Sequence, residues 1–525
     1  MVIKMKIREL LQGLSFHFQD MRAEVITEEG AVQALLDREA TSITNDSRNV
    51  EAGSLFFCIA GAKSDGHDFA DAALEKGACA LVVQKDLDLS AVAAEAGAPG
   101  AFVLPAIIRV EDSRLAMAVV SAAFYGHPAE RMKVIGVTGT KGKTTTTYMV
   151  RSILEAAGIR TGLVGTIETL YETPQGEVRI PSANTTPESI VLQRTFRDMA
   201  DSGVQAVVME VSSQALMLHR TSGFVFDMGI FTNLSPDHIG PDEHRDFDDY
   251  LHCKSLLFTQ CRIGILNGDD PWHGRILEGH TCEVVETFGL ESHNDLRAEN
   301  IELVRTPGEL GVRFDTKGVL ALHAHVPAPG RFSVYNALCA IAVCRHFDVS
   351  GKDIADALLQ VHVRGRIEMV KVSDRFTLMI DYAHNAMALE SLLETLREYD
   401  PGRIVCLFGC GGNRDRARRF EMGEVSGRLA DFTIITSDNP RNEEPMAIIA
   451  DIVTGIAPTG GSYVEIPDRK EAIRYAIGHG QPGDIIVLAG KGHEDYQEIR
   501  GKKYPMDERV LIREVLEEGP CRGRA

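Results

Sequence analysis

Val134-Ile-Gly-Val-Thr-Gly-Thr-Lys-Gly-Lys-Thr-Thr-Thr-Thr147 is the stretch from which the rest of this chain is read. The apolar run Lys133 to Val137 predicts a buried strand, and Thr144 to Ala157 carries a helical pattern. A strand that turns through glycines into a helix N-terminus gathers unpaired backbone N–H groups at the positive end of a helix dipole. Such a turn cradles phosphate. Lys143 is placed to reach the terminal phosphates, and the Thr144 hydroxyl to hold a magnesium ion. Val137 stands where the full Walker spacing has its first glycine, so the loop is the shortened form Gly139-x-x-Gly142-Lys143-Thr144.

Outward from this loop the chain alternates strand and helix. With 525 residues it is too long for one hydrophobic core. Three domains are expected, at 1–130, 131–361 and 362–525. In the first, Leu55 to Ile59 and Ala80 to Val83 read as strands and Asp112 to Tyr125 as a helix, before Tyr125-Gly-His-Pro128 breaks the pattern. In the second, Val134–Val137, Ala206–Met209, Met228–Thr232 and Ile263–Leu266 read as strands of a parallel sheet, with a helix over 187–202. Residues 300–330 are more β-rich, and Val334 to Phe347 reads as a helix. In the third, Leu378–Asp381, Ile404–Phe408, Phe432–Thr436 and Ile485–Leu488 each run into a polar or glycine-rich loop. Open α/β sheets bind ligands beyond the carboxyl ends of their strands. The loops from Asp381, Gly409, Ser437 and Gly490 therefore share one prospective rim.

Composition excludes several classes. Lys plus Arg total 55 against 75 Asp plus Glu, a net charge of −20, so the surface repels nucleic acid and anionic membrane. No apolar run reaches the ~18 residues of a membrane span, and the N-terminus is amphipathic rather than a signal peptide. The expected compartment is the cytoplasm. The ten cysteines include no Cys-x-x-Cys pair, and several sit in apolar runs, as reduced core thiols do.

Other residues offer chemistry at strand ends. Glu210 in Val207-Val-Met-Glu-Val-Ser-Ser213 is a carboxylate positioned to hold Mg²⁺ or to cap the next helix. His238 either binds metal or pairs with a neighbouring acid. Lys254, in a helical pattern, reads as a solvated lysine. Arg414 and Arg441, with Asn439 and Glu494, suit a zwitterionic small molecule bearing an extra carboxylate, because guanidinium holds carboxylate bidentately. Alternatively Arg414 belongs to the solvated charge run up to Arg419, and Arg441 is a turn residue.

Taken together, the ordered motifs resemble the Mur ligase family. They are Asp46-Ser-Arg48, Gly139-Thr-Lys-Gly-Lys-Thr144, Asn184-Thr-Thr-Pro187, Glu210-Val-Ser-Ser213, Asp237-His238, Tyr335-Asn336, Gly365-Arg-Ile-Glu368, Asp381-Tyr-Ala-His384, Asp438-Asn-Pro-Arg441 and Gly490-Lys-Gly-His-Glu494. The similarity is greatest to the branch that adds meso-2,6-diaminopimelate. It implies an N-terminal UDP-binding α/β domain, a central ATP-binding domain with a P-loop-like parallel sheet, and a C-terminal Rossmann-like domain admitting the amino acid. It implies a monomeric ligase of peptidoglycan precursor synthesis, using ATP and Mg²⁺, whose partners are a UDP-N-acetylmuramoyl dipeptide and meso-diaminopimelate.

By resemblance, Lys143, Glu210, His238 and Lys254 are catalytic, and Thr144, Glu210, His238 and Lys254 serve the metal, Lys254 as a carbamate. ATP falls to Gly139, Thr140, Lys141, Gly142, Lys143, Thr144, Thr145, Asn336, Arg366 and Asp381. The muramoyl peptide falls to Ser47, Asn184, Thr185, Thr186, Ser212 and Arg220. The amino acid falls to Arg414, Asp438, Asn439, Pro440, Arg441, Gly490 and Glu494. Four departures mark a divergent branch: Lys141 for a usual asparagine, Gln214 for histidine, Leu218 for glutamine, and Asn385-Ala386 for Thr-Pro.

Overall fold

The computed structural model describes residues 4–61, 64–90, 105–237, 239–240, 243–306 and 309–519. The chain falls into two compact units, Met1–Thr287 and Phe288–Ala525.

The first unit begins with a five-stranded sheet of β1 (Phe16–Gln19), β2 (Ser42–Thr44), β3 (Ser54–Phe57), β4 (Ala80–Val83) and β5 (Ala106–Val110). The order is β1-β5-β4-β3-β2, with β1 antiparallel to β5 and the rest parallel. Helix α1 (Ser113–Phe124) starts where Asp112 accepts from the N–H groups of Arg114 and Leu115, satisfying two donors at its first turn. Its apolar stripe, including Met117 and Val120, enters the core with Leu55 and Val82.

A second sheet follows in the same unit. Its elements are β6 (Lys133–Thr138), α2 (Lys143–Ala156), β7 (Thr161–Val164), β8 (Glu168–Thr173), β9 (Gly176–Pro181), α3 (Ser189–Asp201), β10 (Ala206–Glu210), α4 (Ser213–Met217), β11 (Phe226–Phe231), α5 (Phe247–Ser255) and β12 (Cys261–Asn267). The strands lie in the order β9-β8-β7-β10-β6-β11-β12. β7, β10, β6, β11 and β12 are parallel, while the β8–β9 hairpin runs antiparallel. β6 is central, and Val134, Ile135 and Val137 are fully buried, as a strand covered on both faces requires. The expected strands and the 187–202 helix are present. The β8–β9 hairpin, whose outer strand is largely exposed, is not signalled by the apolar pattern.

The second unit opens with an antiparallel meander, β13 (Leu296–Thr306), β14 (Glu309–Gly318) and β15 (His323–Val326), and helix α6 (Arg331–Cys344). The β-rich reading of 300–330 corresponds to this meander. A six-stranded sheet follows, built from β16 (Glu368–Val370), β17 (Thr377–Asp381), β18 (Ile404–Phe408), β19 (Phe432–Ile435), β20 (Tyr463–Glu465) and β21 (Ile485–Ala489). Its order is β16-β17-β21-β18-β19-β20, parallel except for β16. Successive side chains of these strands alternate between two cores: Met379, Cys406 and Val487 on one face, Leu378, Leu407 and Leu488 on the other. Among the described residues no helix is long and apolar enough to cross a membrane.

Candidate active site

The phosphate loop leaves the carboxyl end of β6. Gly139 has φ +145°, and a Cβ there would lie 2.0 Å from Thr232 Oγ1, so only glycine lets the loop pass. Gly142, at φ +87°, is the N-cap of α2. The loop is clamped from outside. Thr232 Oγ1 donates to Lys141 O (2.7 Å), the Lys141 N–H donates to Asn233 Oδ1 (2.9 Å), and the Ser235 N–H donates to Thr140 Oγ1 (3.0 Å). Thr140 Oγ1 also lies 3.2 Å from Tyr250 Oη. Lys141, the odd residue of the loop, contributes its backbone to this clamp. Lys143 Nζ donates to Gly139 O (2.8 Å) and Thr140 O (3.1 Å), which holds the ammonium across the cradle.

Glu210, at the end of β10, is 1% exposed. Both its oxygens lie 3.0 Å from Thr144 Oγ1, and it accepts from the Thr166 N–H (2.8 Å) and the Thr166 hydroxyl (3.0 Å). A Cβ at Gly165 would meet Glu210 Oε1 at 2.5 Å, so the strand end is fitted closely to this carboxylate. A hydroxyl and a carboxylate are hard oxygen donors, the set Mg²⁺ takes, so Thr144 and Glu210 fit the ion. His238 lies outside the described residues.

Lys254 corrects the solvated-lysine reading. It is 1% exposed, donates to Gly139 O at 2.9 Å, and lies 4.5 Å from the centroid of the Tyr250 ring. Burial first, and the Lys143 ammonium second, hold its amine well below the ordinary lysine range. The sequence signal misleads because α5 shows the core Tyr250, Leu251, Cys253 and Lys254 together, and a helical lysine inside an apolar stripe looks like an interruption.

Thr166 Oγ1 also lies 3.1 Å from Thr185 Oγ1. Thr186 Oγ1 donates to Glu210 O (2.9 Å) and accepts from the Ser212 N–H (3.1 Å), and Arg220 Nη1 donates to Thr186 O (3.1 Å). Ser212 caps α4 by accepting from the Ala215 N–H, and Arg220 pairs with Glu188 at 2.7 Å. Thr185, Thr186, Ser212 and Arg220 are thus brought to the same strand end as Glu210, with Asn184 exposed beside them. Ser47 lies in a 3-10 turn after β2, its carbonyl accepting from Lys76 Nζ at 2.7 Å.

The second unit holds its own cavity, about 280 Å³, beyond the carboxyl ends of its parallel strands. Arg414, Asp438, Asn439, Arg441, Gly490 and Glu494 all line it. Arg441, at φ +51°, donates through Nε to Glu498 (3.1 Å) and through Nη1 to Gly412 O (2.6 Å). Asn439 Nδ2 donates to Glu494 Oε2 (2.9 Å). Lys491, absent from the expected site, is fully buried and bridges Asn439 Oδ1 (3.0 Å), Glu494 Oε2 (2.7 Å) and Tyr496 O (2.6 Å). Its position between two glycines in Gly490-Lys-Gly492 was the available signal.

The charge-run reading fails at Arg419. That side chain is 1% exposed and paired to Glu443 (2.8 Å) and Asp451 (2.9 Å), whereas Arg414 is exposed.

Arg366 and Asp381 lie near one another at a further strand end of this unit. Asp381 accepts from the N–H groups of Ile367 (2.9 Å) and Ala383 (2.8 Å). The Arg366 guanidinium lies 4.7 Å over the Tyr382 ring, which packs 4.8 Å from His493. Gly365, at φ +67°, presses so close to His493 that a Cβ would meet its N–H nitrogen at 2.0 Å. Asn336 is buried on α6.

A shortened phosphate loop, a strand-end carboxylate on magnesium-type donors and a dry lysine, on an α/β chain, mark the class of enzymes that handle a nucleoside triphosphate. Residues 39–125 match the Mur ligase family catalytic domain, 137–344 the Mur ligase middle domain, and 365–492 the Mur ligase glutamate ligase domain. A protein of Geobacillus thermodenitrificans named UDP-N-acetylmuramoyl-L-alanyl-D-glutamate--2,6-diaminopimelate ligase is 41% identical, over 91% of this chain and 95% of its own. A solved structure of a ligase of that name aligns with a TM-score of 0.66 at 27% identity, covering 96% of this chain and 99% of the other. The MurF ligase of Thermotoga maritima, solved in complex with ADP, shares the fold with a TM-score of 0.56 at 16% identity, covering 91% and 98%. The chain belongs to the Mur ligase family.

Proposed function

We propose that this chain is the ATP-dependent ligase that joins meso-2,6-diaminopimelate to UDP-N-acetylmuramoyl-L-alanyl-D-glutamate in cytoplasmic peptidoglycan precursor synthesis. The domains divide at 130/131 and 361/362, and the enzyme acts as a monomer. The observation that carries the reading is Glu210, buried and held between Thr144 and Thr166 at the mouth of the phosphate loop.

In this reading a terminal carboxylate oxygen of the dipeptide attacks the γ-phosphorus of ATP, the bond to the β–γ bridging oxygen breaks, and ADP leaves. The amine of diaminopimelate then attacks the acyl-phosphate carbon. The tetrahedral species collapses with loss of phosphate, and the new amide nitrogen gives up its proton. Each step gathers anions, so the loop N–H groups and Lys143 neutralise the phosphates. Thr144, Glu210, His238 and a carbamylated Lys254 would hold Mg²⁺, which would supply further charge neutralisation at the transferring phosphoryl group. A neutral buried amine is the form of lysine that adds to CO₂, so the depressed protonation of Lys254 favours the carbamate. Gly139, Thr140, Lys141, Gly142 and Thr145 complete the cradle, with Asn336, Arg366 and Asp381 on the ATP side. Ser47 meets the UDP moiety, and Asn184, Thr185, Thr186, Ser212 and Arg220 the muramoyl peptide.

Arg441 and Arg414 read the distal carboxylate of diaminopimelate, while Asp438, Asn439, Pro440, Gly490 and Glu494 complete its pocket. A site built to bond a group rejects the analogue lacking it by ~10⁴-fold. The decisive assay is phosphate release with the UDP-muramoyl dipeptide and a panel of amino acids. Turnover with diaminopimelate and not L-lysine is expected. Turnover with lysine alone would sink the specificity reading, and none with any amino acid despite ATP binding would sink the ligase reading.

A further inference from the structure

A two-stranded hairpin, β22 (Tyr496–Ile499) with β23 (Lys502–Pro505), follows the Gly490 loop of the second unit. β23 is exposed along its whole length, so the hairpin adds little to a hydrophobic core. The motifs of the sequence end at Glu494, and none of the residues lining the cavity of this unit comes from the hairpin.

Its hydrogen bonds nevertheless run to the loop that carries Asp438, Asn439 and Arg441. The Glu498 N–H donates to Asn439 Oδ1 (2.8 Å), and Gln497 Nε2 donates to Asp438 O (2.7 Å). The Arg441 N–H donates to Glu498 O (2.9 Å), and Arg441 O accepts from the Arg500 N–H (2.7 Å). Arg441 thereby pairs with Ile499 in an isolated parallel bridge. Lys491 Nζ, donating to Tyr496 O, ties the start of β22 to the Gly490 loop. The strand lies along the loop as a template.

Two features of Arg441 call for such a template. Its φ of +51° is left-handed, which residues other than glycine seldom adopt, and such a conformation persists where the surroundings over-determine it. The backbone bonds to Glu498 and Arg500 bracket that residue on both sides. The other feature is the guanidinium. Nε donates to Glu498 Oε2 (3.1 Å) and Nη1 to Gly412 O (2.6 Å), while Nη2 has no partner among the described residues. A guanidinium held at Nε by one carboxylate keeps the opposite end of its fork, across the two Nη atoms, for another. Arg441 lines the cavity, and a long side chain fixed before the ligand arrives loses less freedom on binding.

We propose that Glu498 is a specificity-determining positioning residue. With the β22 backbone, it fixes Arg441 in the orientation that presents both Nη atoms to the distal carboxylate of diaminopimelate. The inference rests on the reading of Arg441 given above. Glu498 does not line the cavity and acts through Arg441.

Steady-state kinetics on the full chain test this. Glu498→Ala is expected to raise the KM for diaminopimelate about tenfold, the scale of one charged hydrogen bond, with kcat and the KM for ATP little changed. The same substitution made in Arg441→Ala should lower kcat/KM for diaminopimelate no further, because residues that act as one unit are not additive. A general loss of folding produces neither pattern. Should Glu498→Ala not fold, Glu498→Leu, which keeps the bulk of the side chain, makes the same test. The proposal is overturned if the KM for diaminopimelate is unchanged while the parent turns over. It is equally overturned if the tenfold penalty persists in the Arg441→Ala background. A parent with no turnover of diaminopimelate would sink the reading of the Arg441 site, and this inference with it.

Discussion

Thr166 shows how much of the chemistry rests on a residue with no obvious motif. Its N–H and hydroxyl both point at Glu210, and the same hydroxyl reaches Thr185. Replacing it by valine keeps the shape and the N–H but removes one donor from a buried carboxylate. Groups that orient a metal ligand typically affect affinity or activity by about 10–100-fold when lost. Thr166→Val is therefore expected to lower kcat about tenfold and raise the Mg²⁺ concentration for half-maximal rate, with the KM for diaminopimelate unchanged. A magnesium titration of initial rates measures this, and an unaltered Mg²⁺ dependence would remove Thr166 from the positioning role. Arg441 belongs to the other substrate. Arg441→Ala should raise the KM for diaminopimelate about 100-fold, the scale of a lost charged hydrogen-bond pair, with a much smaller change in kcat. Arg441→Lys should recover little, because a lysine cannot reproduce the planar fork. An unchanged KM in steady-state assays would refute the assignment.

At the scale of elements, strands proved more legible than the loops they deliver. Ala80–Val83 and Ile404–Phe408 are fully apolar runs, and their expected bounds coincide with the observed strands. The phosphate loop was readable because a strand, Gly-Lys-Thr and a helix follow one another without a gap. Lys254 and Lys491 were not, because their significance lies in burial among residues distant in sequence, which no local period records. The β8–β9 hairpin was hidden for a different reason. Its outer strand faces solvent on nearly every residue and so carries no apolar alternation.

The loops of the second unit are in turn held from beneath by one buried ion pair. Arg469 meets Glu508 at 2.8 Å, with both side chains essentially inaccessible, and donates to Ser437 O (3.2 Å) and Ala489 O (3.0 Å). Those carbonyls open the Asp438 and Gly490 loops. Arg469→Met leaves Glu508 buried and alone, which should cost about 3–5 kcal/mol in urea unfolding of the C-terminal transition. The double variant Arg469→Met with Glu508→Leu should recover part of that loss. If the double variant is no more stable than the single one, the penalty does not come from the stranded carboxylate.

For the molecule as a whole, the pH dependence of stability has a group that sets its direction in mildly acid solution. His493 is packed against Tyr382 beside the Arg366 guanidinium, and its Nδ1 has no hydrogen-bond partner. Burial first, and Arg366 second, lower its pKa to about 4. The unfolded chain binds a proton at this residue below about 6.5, while the folded chain refuses it until about 4. More protons are then bound in the unfolded state across that window, so stability falls as pH falls from about 6.5 to about 4 and is fully retained above it. The whole shift corresponds to an upper limit of about 3 kcal/mol, and screening at this partly exposed site brings the expectation nearer about 2 kcal/mol. Carboxylates held low by arginine, such as Asp46 at about 2 beside Arg48, lose their contribution only below this range. His493→Asn removes the titrating ring and should make the curve shallower between pH 6.5 and 4, burial of the His325 and His384 imidazoles supplying part of the slope that remains, without changing its fall below pH 4. Urea midpoints taken at half-unit intervals of pH decide the matter: parallel curves for the parent and His493→Asn across the window would show that this imidazole is not the group that fails first.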